Sequence, residues 1–423
     1  MLMRLHCGLW GQSACKRTLA AILCAAGLSL LNPIGQAFAR ELPGQARAER
    51  LKACPDVAPD DYAVLPDPPD DDDDDDDDDD EKEASTAGPG WLVSDQNCIF
   101  PSLEITTGRQ IARVGGRLGQ LLGPNKTLVS SQLSATMGVT HVNYAWAGGL
   151  VTTVRFQGSG DASLSQASIH SRHFGFGLMD SRFDVWTGEE FSFRAIAPSQ
   201  SPTIASVVPW RSDASIFVLS MEDPSFRRIT VSGYGPYRAP DVVARWAGRL
   251  GVVDVTLSAA ARQTTLEQGG NLNGYAGLMS VRVNAPIISD GSYFIAQASA
   301  ANKALGFLGI HTSSNALGFN LPGALNAATA EAGKGVAGAL VGFWQFSETI
   351  SYATYLTGTK LSLPGVDGGK ILSWRTAVNA TWTPFEGLAF AIEAGYAQVR
   401  SDVRLVPSGN AKTILLTITR TAL

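Results

Sequence analysis

From about Glu104 to its end, the chain is built of segments of about ten residues in which apolar and polar side chains alternate. Gly, Asn, Asp and Pro punctuate these segments. In Leu388 to Gln398, the side chains of Leu388, Phe390, Ile392, Ala394 and Tyr396 share one face. Glu393 lies on the other, among Ala389, Ala391, Gly395 and Ala397. From Asp241 to Arg249, Val242, Ala244, Trp246 and Gly248 oppose Val243, Arg245, Ala247 and Arg249. A short turn near Gly251 follows, then Val253, Val255, Leu257 and Ala259 alternate with Asp254, Thr256, Ser258 and Ala260. Met279, Val281 and Val283 alternate in the same way with Ser280, Arg282 and Asn284. A period of two is that of a strand, and these segments are too short for helices.

Such strands carry one wet face and one apolar face. In a soluble sandwich the apolar faces meet each other. In an outer-membrane barrel they meet lipid, while the wet face lines a lumen. Two features favour the barrel. Charged residues, arginine above all, stand in mid-segment on the polar face, as a water-filled lumen allows. Aromatics such as Trp374, Trp382, Phe385 and Tyr396 recur at segment ends, as interfacial girdles do. The reading of another class is a secreted or surface all-β binding protein, whose acidic segment interacts with cations.

Ahead of the strands, Met1 to Ala39 reads as a secretory signal. It has a basic start (Arg4, Lys16, Arg17), an apolar run from Leu19 to Leu31, and a small-x-small site at Ala37-Phe38-Ala39. Export takes Cys7, Cys15 and Cys24 away with it and leaves Cys54 and Cys98. In an oxidising compartment two cysteines suggest one disulfide, with two free thiols as the alternative. Asp70 to Asp80 are eleven consecutive aspartates, and with Glu81, Lys82 and Glu83 the run carries a charge of −12. Ala84 to Leu423, by contrast, holds 25 Lys and Arg against 20 Asp and Glu. The acidity of the whole chain therefore belongs to one insert, which repels itself and buries nothing. The expected organisation is a signal over 1–39, a disordered segment with the acidic insert over 40–97, and a barrel over 98–423.

Two stretches break the alternation. Between Phe174-Gly175-Phe176-Gly177 and Ser215 to Leu219 lies a long, proline-containing region of mixed charge. Arg182, Asp184, Glu189, Glu190, Arg194 and Arg211 all fall in or beside it. Ser313 to Ala339, rich in Gly, Ala and Asn, reads as a second long outer loop. No catalytic, phosphate-binding or metal-binding constellation emerges. His141, His170, His173 and His311 lack metal-ligand spacing, and alternation would put His170 and His173 on opposite faces. The chain reads as a non-enzyme without cofactor, metal or nucleic-acid partner.

Ser220-Met221-Glu222-Asp223-Pro224-Ser225-Phe226-Arg227-Arg228, followed by Pro240-Asp241-Val242-Val243-Ala244, resembles the strand-loop-strand signature of alphaproteobacterial porins. Phe174 to Gly177 with Ser181 to Asp184 is similar to that family's strand entering its inward-folded third loop. Val281 to Pro286 with Gly291 to Gln297, and Asn379 to Tyr396, resemble two of its strand pairs. Cys54 and Cys98 are similar to its N-terminal cysteine pair, with the acidic insert widening their spacing. The chain departs from the family pattern in finishing Thr421-Ala422-Leu423, where such barrels end in Phe.

The resemblance implies an antiparallel transmembrane barrel of about sixteen strands, in the outer membrane and assembled as a homotrimer. It implies passive diffusion of small hydrophilic solutes and ions. It also implies a constriction on the third loop, with Asp184, Glu189 and Glu190 as its acidic side and Arg182 and Arg194 as its basic side. Arg245, Arg249 and Arg282 are expected to line the lumen from the strands.

Overall fold

The computed structural model describes residues 91–94, 97–117, 127–143, 149–158, 162–185, 201–230, 232–289, 291–310, 327–364, 369–403, 406 and 408–422. Seventeen strands account for most of them. These are β1 (Trp91–Ser94), β2 (Asn97–Gly115), β3 (Thr127–Asn143), β4 (Leu150–Gly158), β5 (Ala162–Ser171) and β6 (Phe174–Leu178). Then come β7 (Thr203–Arg211), β8 (Ser215–Glu222), β9 (Asp241–Leu250), β10 (Val253–Thr265), β11 (Asn271–Asn284) and β12 (Tyr293–Asn302). The last five are β13 (Lys334–Ser347), β14 (Ile350–Ser362), β15 (Lys370–Phe385), β16 (Leu388–Ser401) and β17 (Gly409–Ala422). A five-residue helix, α1 (Ala327–Glu331), precedes β13.

Each strand from β2 to β17 pairs antiparallel with its successor, and β17 pairs back onto β2 from Asn410↔Gly115 to Ala422↔Leu103. The result is a closed barrel of sixteen strands with no open edge, as a sheet in hydrocarbon requires. β1 lies within the stretch expected to be unstructured, and folds back as a hairpin on the start of β2, with Trp91 opposite Ile99.

The alternation sets which way each residue points. Large apolar side chains are exposed on the outside, among them Leu133 at 61%, Leu340 at 57% and Leu416 at 53%. The opposite parity is buried and largely polar, with Arg262 at 3%, Glu393 at 2%, and Thr140, Ser168, His170, Ser206 and Asn379 beside them. A soluble sandwich has the reverse sense, so the secreted, water-exposed alternative does not hold. This wall is apolar where it meets lipid and polar within: the wall of an outer-membrane barrel. Exposed aromatics gather near the strand ends, with Trp210, Phe294, Phe346, Tyr352, Trp382 and Phe385 at one end and Phe156 and Tyr275 toward the other.

Tight turns join β5–β6, β7–β8, β9–β10, β13–β14 and β15–β16 at the first of these ends. Eight connections, several of them long, occupy the other, the third joining β6 to β7, the fourth β8 to β9, the sixth β12 to β13 and the eighth β16 to β17. Both expected long loops end earlier than the sequence suggested. Thr203–Arg211 is strand β7, hidden in the sequence because Pro209 and a register shift between Val207 and Trp210 interrupt its alternation. Likewise β13 begins at Lys334, where small residues (Gly335, Ala337, Gly338, Ala339) blur the contrast between faces. His170 faces inward and is buried, whereas His173 lies in the turn after β5, so the two do not share a strand.

Candidate functional site: loops folded into the lumen

The beginning of the third loop leaves β6 and runs across the inner wall. The Ser181 hydroxyl donates to Glu222 Oε2 at 2.7 Å, and the Arg182 amide donates to Glu222 Oε1 at 2.8 Å. Further along, the Asp184 carbonyl accepts from Arg245 Nη1 of β9 at 3.4 Å. The Val185 carbonyl accepts from Gln297 Nε2 of β12 at 3.2 Å. Five residues thus reach from β8 to β12, and the loop folds inward.

The fourth loop supplies the opposing half of this anchor. Asp223 caps a 3-10 turn, Pro224–Arg227, by accepting from the Ser225 amide at 2.8 Å, and Pro224 at its first position needs no partner for a missing N–H. That turn sends Arg227 inward, where it is 1% exposed. Its Nη2 donates to Ser181 Oγ and lies 3.4 Å from Asp184 Oδ1 and 3.5 Å from Glu222 Oε2. The guanidinium also packs over Phe307, in the sixth loop, at 4.1 Å from its centroid. Phe307 in turn meets Phe183 of the third loop edge-on, at 4.7 Å between centroids.

Arg262, on the inward face of β10, holds the other side. It donates to the carbonyls of Arg227 at 2.9 Å and Pro224 at 3.4 Å. It also lies 3.9 Å from Asp241 and 3.8 Å from Glu331 of α1. Tyr234 Oη donates to Glu331 Oε1 at 2.7 Å and accepts from the Ile229 amide at 2.9 Å. Burial raises the Glu331 carboxyl above the usual range, against the opposing pull of Arg262 and of the Tyr234 hydrogen bond. The Tyr234 phenol is raised as well, by burial first and then by Glu331. Around this polar centre an apolar cluster forms from Phe183, Ile229, Leu305, Phe307, Leu308, Leu363, Val403 and Val406 of the loops. It packs on small inward wall residues (Ala260, Ala276, Ala301, Ala337, Ala339) that leave room for it.

Of the residues singled out in the sequence, Asp184 and Arg182 lie in this assembly. Asp184 faces Arg227, and Arg182 is buried with its Nη2 3.1 Å from the Met179 sulfur. Glu189, Glu190 and Arg194 fall outside the described residues, as does Cys54, while Cys98 is wholly buried. Arg245, Arg249 and Arg282 all have inward parity. Arg249 pairs with Asp254 at 2.7 Å, and Arg282 lies 4.0 Å from the Tyr293 ring centroid, donating to Asn284 at 2.9 Å. Sequence reasoning gave no site role to Glu222, Arg227, Asp241, Arg262, Glu331 or the pair Tyr355–Glu393, whose hydrogen bond is 3.0 Å. Arg262 was within reach, because it continues the inward parity of Asp254 and Ser258 along one strand.

No protein-family model and no curated protein matches the sequence. Solved structures do match. The barrel is similar to the outer membrane channel DcaP of Acinetobacter baumannii, at 10% identity and a TM-score of 0.62, over 79% of this chain and 99% of that one. It is similar to OmpF of Salmonella typhi in complex with daunomycin, at 10% identity and a TM-score of 0.52, over 78% and 99% of the two chains. An anion-selective porin from Comamonas acidovorans matches at 9% identity and a TM-score of 0.50, over 77% and 100%. The likeness is one of fold, and that fold is the sixteen-stranded barrel of outer-membrane porins.

Proposed function

We propose that this protein is an outer-membrane porin, a water-filled channel for passive diffusion of small hydrophilic solutes and ions. The observation that carries the reading is a closed wall with a polar interior, crossed by the start of a charged third loop that reaches Gln297 on β12. Such a channel needs a constriction whose size and charge select solutes, and no reacting group. Asp184 with Glu189 and Glu190 forms the acidic side of that constriction. Arg182 and Arg194 form the basic side, with Arg245, Arg249 and Arg282 lining the lumen below. The likeness to alphaproteobacterial porins belongs to this proposal too, since its signature Ser220 to Arg228 forms the end of β8 and the turn that anchors the third loop.

The assembly is a homotrimer. Support comes from the outward face of β17, β2 and β3. Between Leu103 and Arg113 on β2, Val129 and Val139 on β3, and Lys412 and Arg420 on β17, the outward residues include no aromatic. Arg109, exposed and midway along the β17 ladder opposite Leu416, would stand in mid-bilayer if lipid covered it. A cation there costs about 2–4 kcal/mol, so a second copy covering this face is the cheaper arrangement. Cys98 is buried and disulfide-bonded, which supports pairing with Cys54.

Recording single channels from protein purified in detergent and inserted in planar bilayers tests the function. Stepwise, ohmic conductance is the expected result, and a native barrel that never conducts sinks the proposal. Glu189→Gln with Glu190→Gln should shift the reversal potential toward anions, and an unchanged potential removes these two residues from the constriction.

A further inference from the structure

The turn Pro224–Arg227 has no place of its own in a diffusion channel, yet it brings together groups from three loops and two strands. We propose that Arg227 is a positioning residue for the channel, the latch through which the fourth and sixth loops fix the third loop at the constriction. The inference rests on the porin reading.

Three observations carry it. First, Arg227 meets every party. Its Nη2 contacts Ser181 and Asp184 of the third loop and Glu222 of β8, and its flat face covers Phe307 of the sixth loop. Second, its own position is imposed from behind, because Arg262 of β10 grips its carbonyl at 2.9 Å. Third, the sixth loop approaches it at van der Waals limits. A Cβ on Gly306 would stand 2.4 Å from the Arg227 carbonyl oxygen, so a side chain there pushes one loop off the other.

The chemistry explains why an arginine suits this point. Two carboxylates, the buried Glu222 and Asp184 at the edge of the lumen, converge on this point, and two like charges so close need a cation. Here one nitrogen of the guanidinium, Nη2, lies against both carboxylates, while its flat face packs on aromatic rings. Phe183 and Phe307 supply those rings, at 5.9 and 4.1 Å. An ammonium keeps the charge but loses the flat face that covers Phe307. Removing the charge leaves Glu222 facing Asp184, and the segment that begins the constriction is then repelled from the wall it crosses.

The test is single-channel recording of the native chain and of Arg227→Met, Arg227→Lys and Gly306→Val, each first shown to be a folded barrel by heat-modifiable migration. The native channel should be quiet. Arg227→Met should raise the frequency of brief partial closures about tenfold, as expected for loss of a charge-assisted contact, and shift the reversal potential. Arg227→Lys should restore much of the quiet. Gly306→Val, which leaves every charge in place, should flicker like Arg227→Met, and it carries the test if that variant does not fold. A native channel that conducts, with flicker and reversal potential unchanged in the folded variants, overturns the latch alone. A native barrel that never conducts overturns the porin reading and the latch with it.

Discussion

The Glu222 carboxylate accepts from both Ser181 Oγ, at 2.7 Å, and the Arg182 amide, at 2.8 Å, so the last residue of β8 holds the entry of the third loop with its two oxygens. This pairing is local to the wall, whereas the contacts beyond it, to Arg245 and Gln297, lie progressively farther around the barrel. Glu222 thus acts as the fixed end of the segment.

Replacing Glu222 with Gln keeps its shape and one acceptor but removes the charge that balances Arg227. The cost expected for breaking a buried ion pair on one side is about 3–5 kcal/mol, borne by the loops more than by the sixteen-stranded wall. Limited proteolysis should therefore find the third loop cut faster, while the temperature of barrel unfolding on gels stays near that of the native protein. Equal loss of both would mean that Glu222 supports the wall itself.

Arg262 should behave differently, because it binds two loops to the barrel at once. Arg262→Met leaves Asp241 and Glu331 buried without their cation. Hydrogen exchange should then rise together in the segment around Tyr234 and in α1, and not in one of them alone. Protection lost from only one segment would show that the two loops are held separately.

The pH dependence of the loop assembly has a definite sign. Burial outweighs Arg262 and Tyr234 at Glu331, so its carboxyl titrates above the ordinary range when the loops are docked. The docked state then holds the proton more tightly than the released state. Docking strengthens as pH falls toward the ordinary carboxylate value and weakens as pH rises through the raised one. Protease protection of the fourth and sixth loops should increase from pH 7 to pH 5, and Glu331→Gln should reduce that dependence. Protection that falls on mild acidification would reverse the assignment and make the Arg262 pair dominant.

Much of this architecture was legible in the sequence, and the reason is the period of two. Leu388 to Gln398 assigned its own lipid and lumen faces, because a barrel strand has only two faces and Glu393 marks the inner one. The strand β7 was not legible, since Pro209 and a bulge break its parity within nine residues. The loop assembly was harder still. Arg227, Phe307 and Glu331 come from connections with no periodicity, and nothing local to any of them says that the three meet. The small inward residues from Ala260 to Ala339 are the trace they leave in the sequence, but a shortage of bulk does not name what fills it.

Gly177 is the point where β6 is most tightly committed. Its φ of +122° is closed to side chains, and a Cβ there would stand 2.2 Å from the Ala167 carbonyl oxygen across the β5–β6 ladder. Gly177→Ala should reduce the yield of folded barrel and, in the fraction that folds, expose the start of the third loop to protease. A normal yield with native protection would mean that β6 can shift its register to accommodate the methyl group.

Arg109 separates a lipid-covered from a protein-covered wall, because the two surroundings give substitutions opposite signs. If lipid covered β17, β2 and β3, Arg109→Leu would remove a mid-bilayer cation and stabilise the barrel by about 2–4 kcal/mol, with no effect on assembly. If a second copy covers them, the same change removes a partner from a desolvated interface. The oligomer should then dissociate at lower temperature while the barrel of each subunit remains intact. The absence of outward aromatics on these three strands, when Trp210, Phe294 and Trp382 ring the wall elsewhere, points to the second case. Semi-native gels of Arg109→Leu, run across a temperature series, should show monomers at temperatures where the native assembly persists. A barrel stabilised with its assembly unchanged would hand this face back to lipid.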